Sequence, residues 1–253
     1  HKMIKFKLTE NLAGVAVSGD FNDFYDLVEA FHEIAIYEDD TKNSYYSDIS
    51  TRALGLCYDI RHAYQGDRSV LLEENGMDRD KMKWHGIITP ESNVYYECKC
   101  IFPEMVFNML AIDKLIEVKA RNLSKNRYFE LTDKKVLWNK SLSMLRLLQS
   151  QFVECVEEIH EPRNFSRWYN LVASRINSIE DISDSYMDLL NISYLKLDKD
   201  NRLKKLNIYT KRITEFYHDP DYKKLKKELD ELKKEHGHSN FRLNMEYPEK
   251  IDW

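Results

Sequence analysis

The sequence predicts an α+β fold: N-terminal hairpins in an antiparallel sheet with helices, followed by an all-α helical bundle. Three observations carry this reading. The 253 residues hold only 7 Gly and 5 Pro, too few punctuating residues for a chain of tight turns or a many-stranded barrel. Alternation of apolar and polar residues is confined to the stretch before Pro103, whereas apolar residues recur at 3–4 spacing from Thr132 onward. All glycines but Gly237 lie between Gly14 and Gly86. The chain thus divides near residue 130 into an α+β module (3–130) and a helical module (131–253), either as separate domains or as one continuous compact unit.

The elements follow in order. Ile4, Phe6 and Leu8 alternate, Thr9-Glu10-Asn11 turns, and Leu12–Val17 completes a β-hairpin. Asp20 or Asn22 can cap a helix with apolar positions Phe24, Leu27, Val28, Phe31 and Ile34, running to about Tyr37. A polar loop follows to Tyr46. Ser47 or Asp48 caps a second helix to about Gln65, with Gly66 just past its end. Ser69–Leu72 reads as a strand before an Asn75-Gly76 turn. Trp84–Ile88 and Asn93–Phe102 read as two further strands joined by Thr89–Ser92. Pro103 opens a third helix to about Lys119, apolar around much of its circumference and therefore central. Tyr128–Leu131 fits a short strand.

From Thr132, one helix carries Trp138, Leu142, Leu145, Leu148, Phe152, Val156 and Ile159 and stops before Pro162. Asn164 caps the next, with Trp168, Val172, Ile176 and Ile179. Both a break near Ser178–Ser183 and continuation to Leu195 fit the pattern. Arg202–Tyr217 carries Leu203, Leu206, Tyr209, Ile213 and Phe216 on one side. Asp219-Pro220 starts the last helix and Gly237 ends it. Its Tyr222, Leu225, Leu229 and Leu232 form a narrow stripe suited to docking on another helix, in this chain or in a partner.

Composition bounds the function. Hydrophobic residues at 43% supply a real core and exclude disorder as the main state. A net charge of −5 excludes an overall basic coat for nucleic acid. Residues 196–250 carry 15 Lys/Arg against 11 Asp/Glu, a modest local excess that alternates in sign along the last helix. Nucleic acid is thus a weaker expectation than protein. Cys57, Cys98, Cys100 and Cys155 match no zinc framework and read as buried, reduced thiols of a cytoplasmic protein. No apolar run is long enough for a membrane span, and residues 3–20 do not read as a signal peptide. No metal site and no cofactor motif is expected. Walker, HExxH and GxSxG motifs are missing, which counts against a common hydrolase or nucleotide enzyme.

One constellation stands out. On the second helix, Ile49, Ala53, Leu56, Ile60, Ala63 and Tyr64 form the core stripe. Tyr58, Arg61, His62 and Gln65 gather opposite it, with Asp59 on the flank and Asp67 and Arg68 just beyond Gly66. A solvated face ordinarily carries Lys and Glu; this one offers stacking, planar hydrogen bonding and a titrating imidazole. Arg61 and Arg68 suit a phosphate or carboxylate. Asp59 and His62, three residues apart, suit an orienting pair with His62 as acid/base. The same residues also suit a buried hydrogen-bond network or a protein interface.

Thr9–Asp20, the run Leu56–Arg68 and Pro103-Glu-Met-Val-Phe107 together resemble a family of uncharacterised bacterial proteins with a domain of unknown function, over about residues 3–120. The resemblance implies a bacterial or phage origin and a soluble accessory protein, and implies no catalytic role. Separately, Arg212 and His218, five residues intervening, resemble the Arg…His motif of the HEPN ribonuclease superfamily. Ile213 stands where that family often has a polar residue, and Arg79…His85 shows the same spacing.

Three expectations result. The first is a non-enzymatic interaction protein, an accessory subunit binding a protein partner or its own copy. The second is an enzyme or sensor for a phosphate-bearing ligand, built on Asp59, Arg61, His62 and Arg68. The third is a HEPN-like ribonuclease using Arg212 and His218.

Overall fold

In the computed structural model, which describes residues 4–124, 132–174, 178–236 and 243–253, a four-stranded antiparallel sheet packs one face against helices. β1 (Lys5–Leu8) and β2 (Gly14–Gly19) form the expected hairpin. β2 pairs with β4 (Ser92–Ile101), and β4 with β3 (Ser69–Glu74), so the spatial order is β1-β2-β4-β3 and β3 is an edge. Phe6, Val15, Val17, Cys98 and Cys100 share the face that meets the helices, as alternation requires. Gly14 allows β2 to approach β4 closely: a side chain there would land on the carbonyl oxygen of Cys100.

α1 (Phe21–Ile34) starts at Asp20, whose carboxylate accepts from the Asp23 amide while Asp23 returns the bond. It ends three residues before Tyr37. α2 (Ser47–His62) follows a 3₁₀ turn (Ser44–Tyr46); Ser47 is its first residue rather than its cap, and its hydroxyl donates to the Ser44 carbonyl. Past His62 the backbone widens into a π-type turn (Ala63–Asp67), which Gly66 closes at φ +91°.

The strand expected at Trp84–Ile88 is not formed. Asp78 caps a short helix, α3 (Arg79–His85), by accepting from the Lys81 amide, and Gly86 ends it in the left-handed conformation. Capping chemistry at both ends outweighs the brief apolar alternation. The Thr89–Ser92 hairpin is accordingly replaced by pairing of β4 with β2 and β3.

α4 (Phe102–Leu123), with Pro103 in its first turn, is the central element and buries Met105, Phe107, Ile112 and Leu115 between sheet and back-half helices. The single helix expected from Thr132 is two. α5 (Lys134–Leu137) stops at Trp138, and Asn139 caps α6 (Lys140–Ile159) by accepting from the Leu142 amide. Trp138 therefore leaves the apolar stripe and is exposed. α7 (Pro162–Val172) starts at Glu161 rather than Asn164, because Pro162 fits the first turn. A break does occur at Ser178–Ser183: a 3₁₀ turn (Ile179–Asp181) precedes α8 (Asp184–Leu195), capped by Ser183. Asp198 caps α9 (Lys199–Thr214), on which Leu203 is exposed, contrary to the expected stripe. α10 (Pro220–His236) buries Tyr222, Leu225 and Leu229 within this chain, beside α8 and the 3₁₀ turn Phe216–His218. Tyr128–Leu131, Ile176 and the His236-Gly237-His238 side chains lie outside the described residues.

The core runs across the 130 boundary. Phe152 of α6 meets Phe6 of β1 at 5.6 Å, Phe102 of α4 at 6.1 Å and Trp168 of α7 at 5.9 Å between ring centroids.

Candidate functional site: a polar rim beside an apolar arm

The end of α2 and the turn after it bring the sequence-derived cluster to the surface. Tyr58, Gln65, Asp67 and Arg68 are exposed, while Asp59, Arg61 and His62 are half-buried. His62 Nδ1 lies 2.9 Å from Asp67 Oδ2, and the His62 ring packs on Tyr58 at 4.1 Å. Arg61 also lies over the Tyr58 ring, 5.4 Å from its centre. Arg68 donates to Asp59 Oδ1 at 2.8 Å and to its neighbour's carbonyl, that of Asp67, at 3.0 Å. That carboxylate bond holds the Arg68 guanidinium above its ordinary pKa.

The expected partnership is thus exchanged: Asp59 serves Arg68, and His62 takes Asp67. The π-type turn is the cause, since it swings Asp67 back over the last helical turn. Beneath the rim, burial pushes the Cys57 thiol up to about 11, with Arg61 opposing. All four cysteines are buried and free. Such a rim can hold an anion between Arg61 and Arg68, or border a protein interface.

Next to the rim, an apolar arm is uncovered. On the helix-facing side of the sheet, Cys98 and Cys100 are covered, whereas Val70, Leu72 and Val94, further along the same face, are not. Leu72 is 73% exposed, Trp84 82% and Ile88 fully exposed. α3 contributes no buried residue. The end of α2 and its turn lie against β3 and β4, so rim and arm are continuous.

Sequence reasoning missed a second polar cluster. Arg52 of α2 forks onto Glu104 of α4 at 2.9 and 2.7 Å and reaches Asp184 and Asp188 of α8 at 3.0 Å each. Asn191 donates to Glu104 at 2.6 Å, and Tyr247 donates to Asp188 at 2.9 Å. Burial pushes the Tyr247 hydroxyl up to about 12. Burial opposes the Arg52 charge, but the three carboxylates outweigh it and hold its pKa far above the ordinary value. The available signal was the spacing of Asp184, Asp188 and Asn191, which puts three polar groups on one face of a mostly buried helix. One guanidinium fills the space between the carboxylates, so the cluster ties α2, α4 and α8 together. Among the described residues no group of three or more His, Cys, Asp and Glu is arranged to hold a metal ion, and no helix is long and apolar enough to cross a membrane.

Arg212 and His218 have separate surroundings. Arg212 is held by Asp219 at 2.5 Å and Asp221 at 2.6 Å, and His218 packs on Tyr217 at 4.3 Å. A cleft of about 680 Å³ nearby is lined by Phe216, Tyr217, Tyr222, Lys226 and Lys233, among others, but by neither Arg212 nor His218.

Fold and site together define an α+β protein whose helical back half is built into the same core as its sheet. The chain belongs to the family described as "Domain of unknown function (DUF6904)", whose model matches residues 4–253. The family match reaches beyond the residues that carried the resemblance and takes in the back half. No curated protein and no solved structure matches the chain.

Proposed function

We propose that this protein is a non-enzymatic interaction module, an accessory subunit of a bacterial or phage-encoded system, which binds a protein through the arm formed by β3, α3 and the start of β4. The carrying observation is the uncovered continuation of the sheet's core-facing side at Val70, Leu72 and Val94, with Trp84 and Ile88 also exposed on the segment that links β3 to β4. An apolar centre bordered by Tyr, Arg and His has the composition of an interface. Four buried, free thiols support a reducing compartment such as the cytoplasm. The test is proximity labelling in the native host with wild type and with the Trp84→Ser/Ile88→Ser double variant. A set of proteins labelled by the wild type and lost in the variant, at unchanged Tm, is expected; an identical set in both removes the reading.

The rim also favours a second reading, a sensor or enzyme for a phosphate-bearing ligand, because a His–carboxylate pair stands beside two guanidiniums. Titration with ATP and with short RNA decides it: binding lost in His62→Ala and Arg61→Ala at unchanged Tm supports this reading. No binding to the wild type removes it.

A further inference from the structure

β3 exposes one edge, and its sequence says what fits there. Among the described residues β3 pairs with β4 alone, which leaves its outer backbone edge without a strand partner. A second β3, laid antiparallel about a two-fold axis through Leu71, matches it residue for residue. Directly opposite residues share a face. In this register Arg68 faces Glu74 of the other copy, Ser69 faces Glu73, Val70 faces Leu72, and Leu71 faces Leu71. No pair of like charges results. The exposed residues Val70 and Leu72 meet each other on both sides of the axis, on the face that already carries Val94. Shifting the axis to Leu72 would instead set Val70 against Glu74, so the register is specified by the sequence.

The same register bears on the exposed residues between β3 and β4. β3 leads from Arg68 beside the end of α2 to Glu74, from which the chain enters α3. Antiparallel pairing therefore brings the α3 end of one copy alongside the Arg68 end of the other. The segment that carries Trp84, Ile87 and Ile88 is thereby directed toward the end of the other copy that carries Arg68 and the turn after α2, and the same holds in reverse by symmetry. α3 buries none of its residues within the chain and carries the exposed Trp84, which this arrangement places toward the other copy.

Resting on the interaction reading above, we infer that the partner of the arm is a second copy of this chain, joined edge to edge through β3 into one continuous eight-stranded sheet. The closed two-fold arrangement hides both β3 edges, so assembly stops at the dimer.

Sedimentation equilibrium of the full chain across a wide concentration range tests the state, and two variants test the register. The wild type is expected to sediment at twice the chain mass. Glu74→Arg, at an exposed position, sets like charges opposite Arg68 twice per dimer and is expected to weaken association about tenfold. Adding Arg68→Glu to it is expected to restore association. Leu71→Cys, on the axis, is expected to cross-link to a disulfide dimer under mild oxidation, and Leu72→Cys much less. The native thiols do not compete, because all four are buried. A wild type that stays monomeric at the highest concentration overturns the inference. So does a dimer that neither responds to Glu74→Arg nor cross-links through Leu71→Cys, since it then forms elsewhere. If the wild type is monomeric but proximity labelling still depends on Trp84 and Ile88, the interaction reading stands and only the second-copy inference falls.

Discussion

Arg52 shows how much a single side chain can decide. Its guanidinium pairs with Glu104, Asp184 and Asp188 at once, and it is mostly buried. Arg52→Met removes the guanidinium that all three carboxylates share, which is expected to cost about 3–5 kcal/mol in denaturant unfolding. Lys140→Met breaks the exposed pair with Asp26 and is expected to cost less than about 1 kcal/mol in the same assay. At this scale the sequence was partly legible. Tyr58, Arg61 and His62 share one face because helical spacing places them there, and Asp67 and Arg68 join them through the turn after His62. The pairing of Asp59 with Arg68 was not legible, since it depends on a widened turn that no residue spacing announces. Arg52 was invisible for a similar reason: its three carboxylates lie 52 to 136 positions away along the chain.

Elements were legible where capping and periodicity agree. α1, α4 and α10 are such cases, each with a cap or an N-terminal proline ahead of a clear apolar pattern. The segment Trp84–Ile88 misled because short alternation is weak evidence against a cap at Asp78 and a glycine stop at Gly86. The Thr132–Pro162 pattern misled because Asn139 restarts the helix while the apolar spacing continues through it. The junction of α9 and α10 is an element-scale device with a pH signature. Burial alone would raise the Asp219 carboxyl, but Arg212 and the Tyr186 hydroxyl outweigh it and hold its pKa below the usual value. A depressed folded-state pKa contributes stability above the unfolded-state value and loses it as pH falls through the folded one. Asp219→Asn keeps an acceptor for the Asp221 amide but removes the charge. It is expected to cost about 1–3 kcal/mol at neutral pH. The Tm gap to wild type is expected to shrink below about pH 4; a gap that stays constant down to acid pH would show that the charge contributes nothing.

On the scale of the whole molecule, the boundary near residue 130 separates kinds of secondary structure, while the core crosses it through Phe6, Phe102, Phe152 and Trp168. Phe152→Ala is expected to cost about 3–5 kcal/mol and to lower the melting of sheet and helices together. Far-UV and near-UV circular dichroism should give coincident transitions in wild type and variant; two separated transitions would mean the halves unfold independently. The scarcity and placement of glycine, the alternation in β1, the apolar run of β2, and the helical spacing of the back half were enough to determine the fold class and most of the elements. These are local properties, set by steric preference and by which face of an element is apolar. What only the tertiary structure decided was coverage. Val70 and Leu72 carry the same kind of side chain as Val15 and Val17 on the same face of the same sheet. The helix layer covers one pair and stops short of the other, and that limit is set by where α2 ends against β3 and β4.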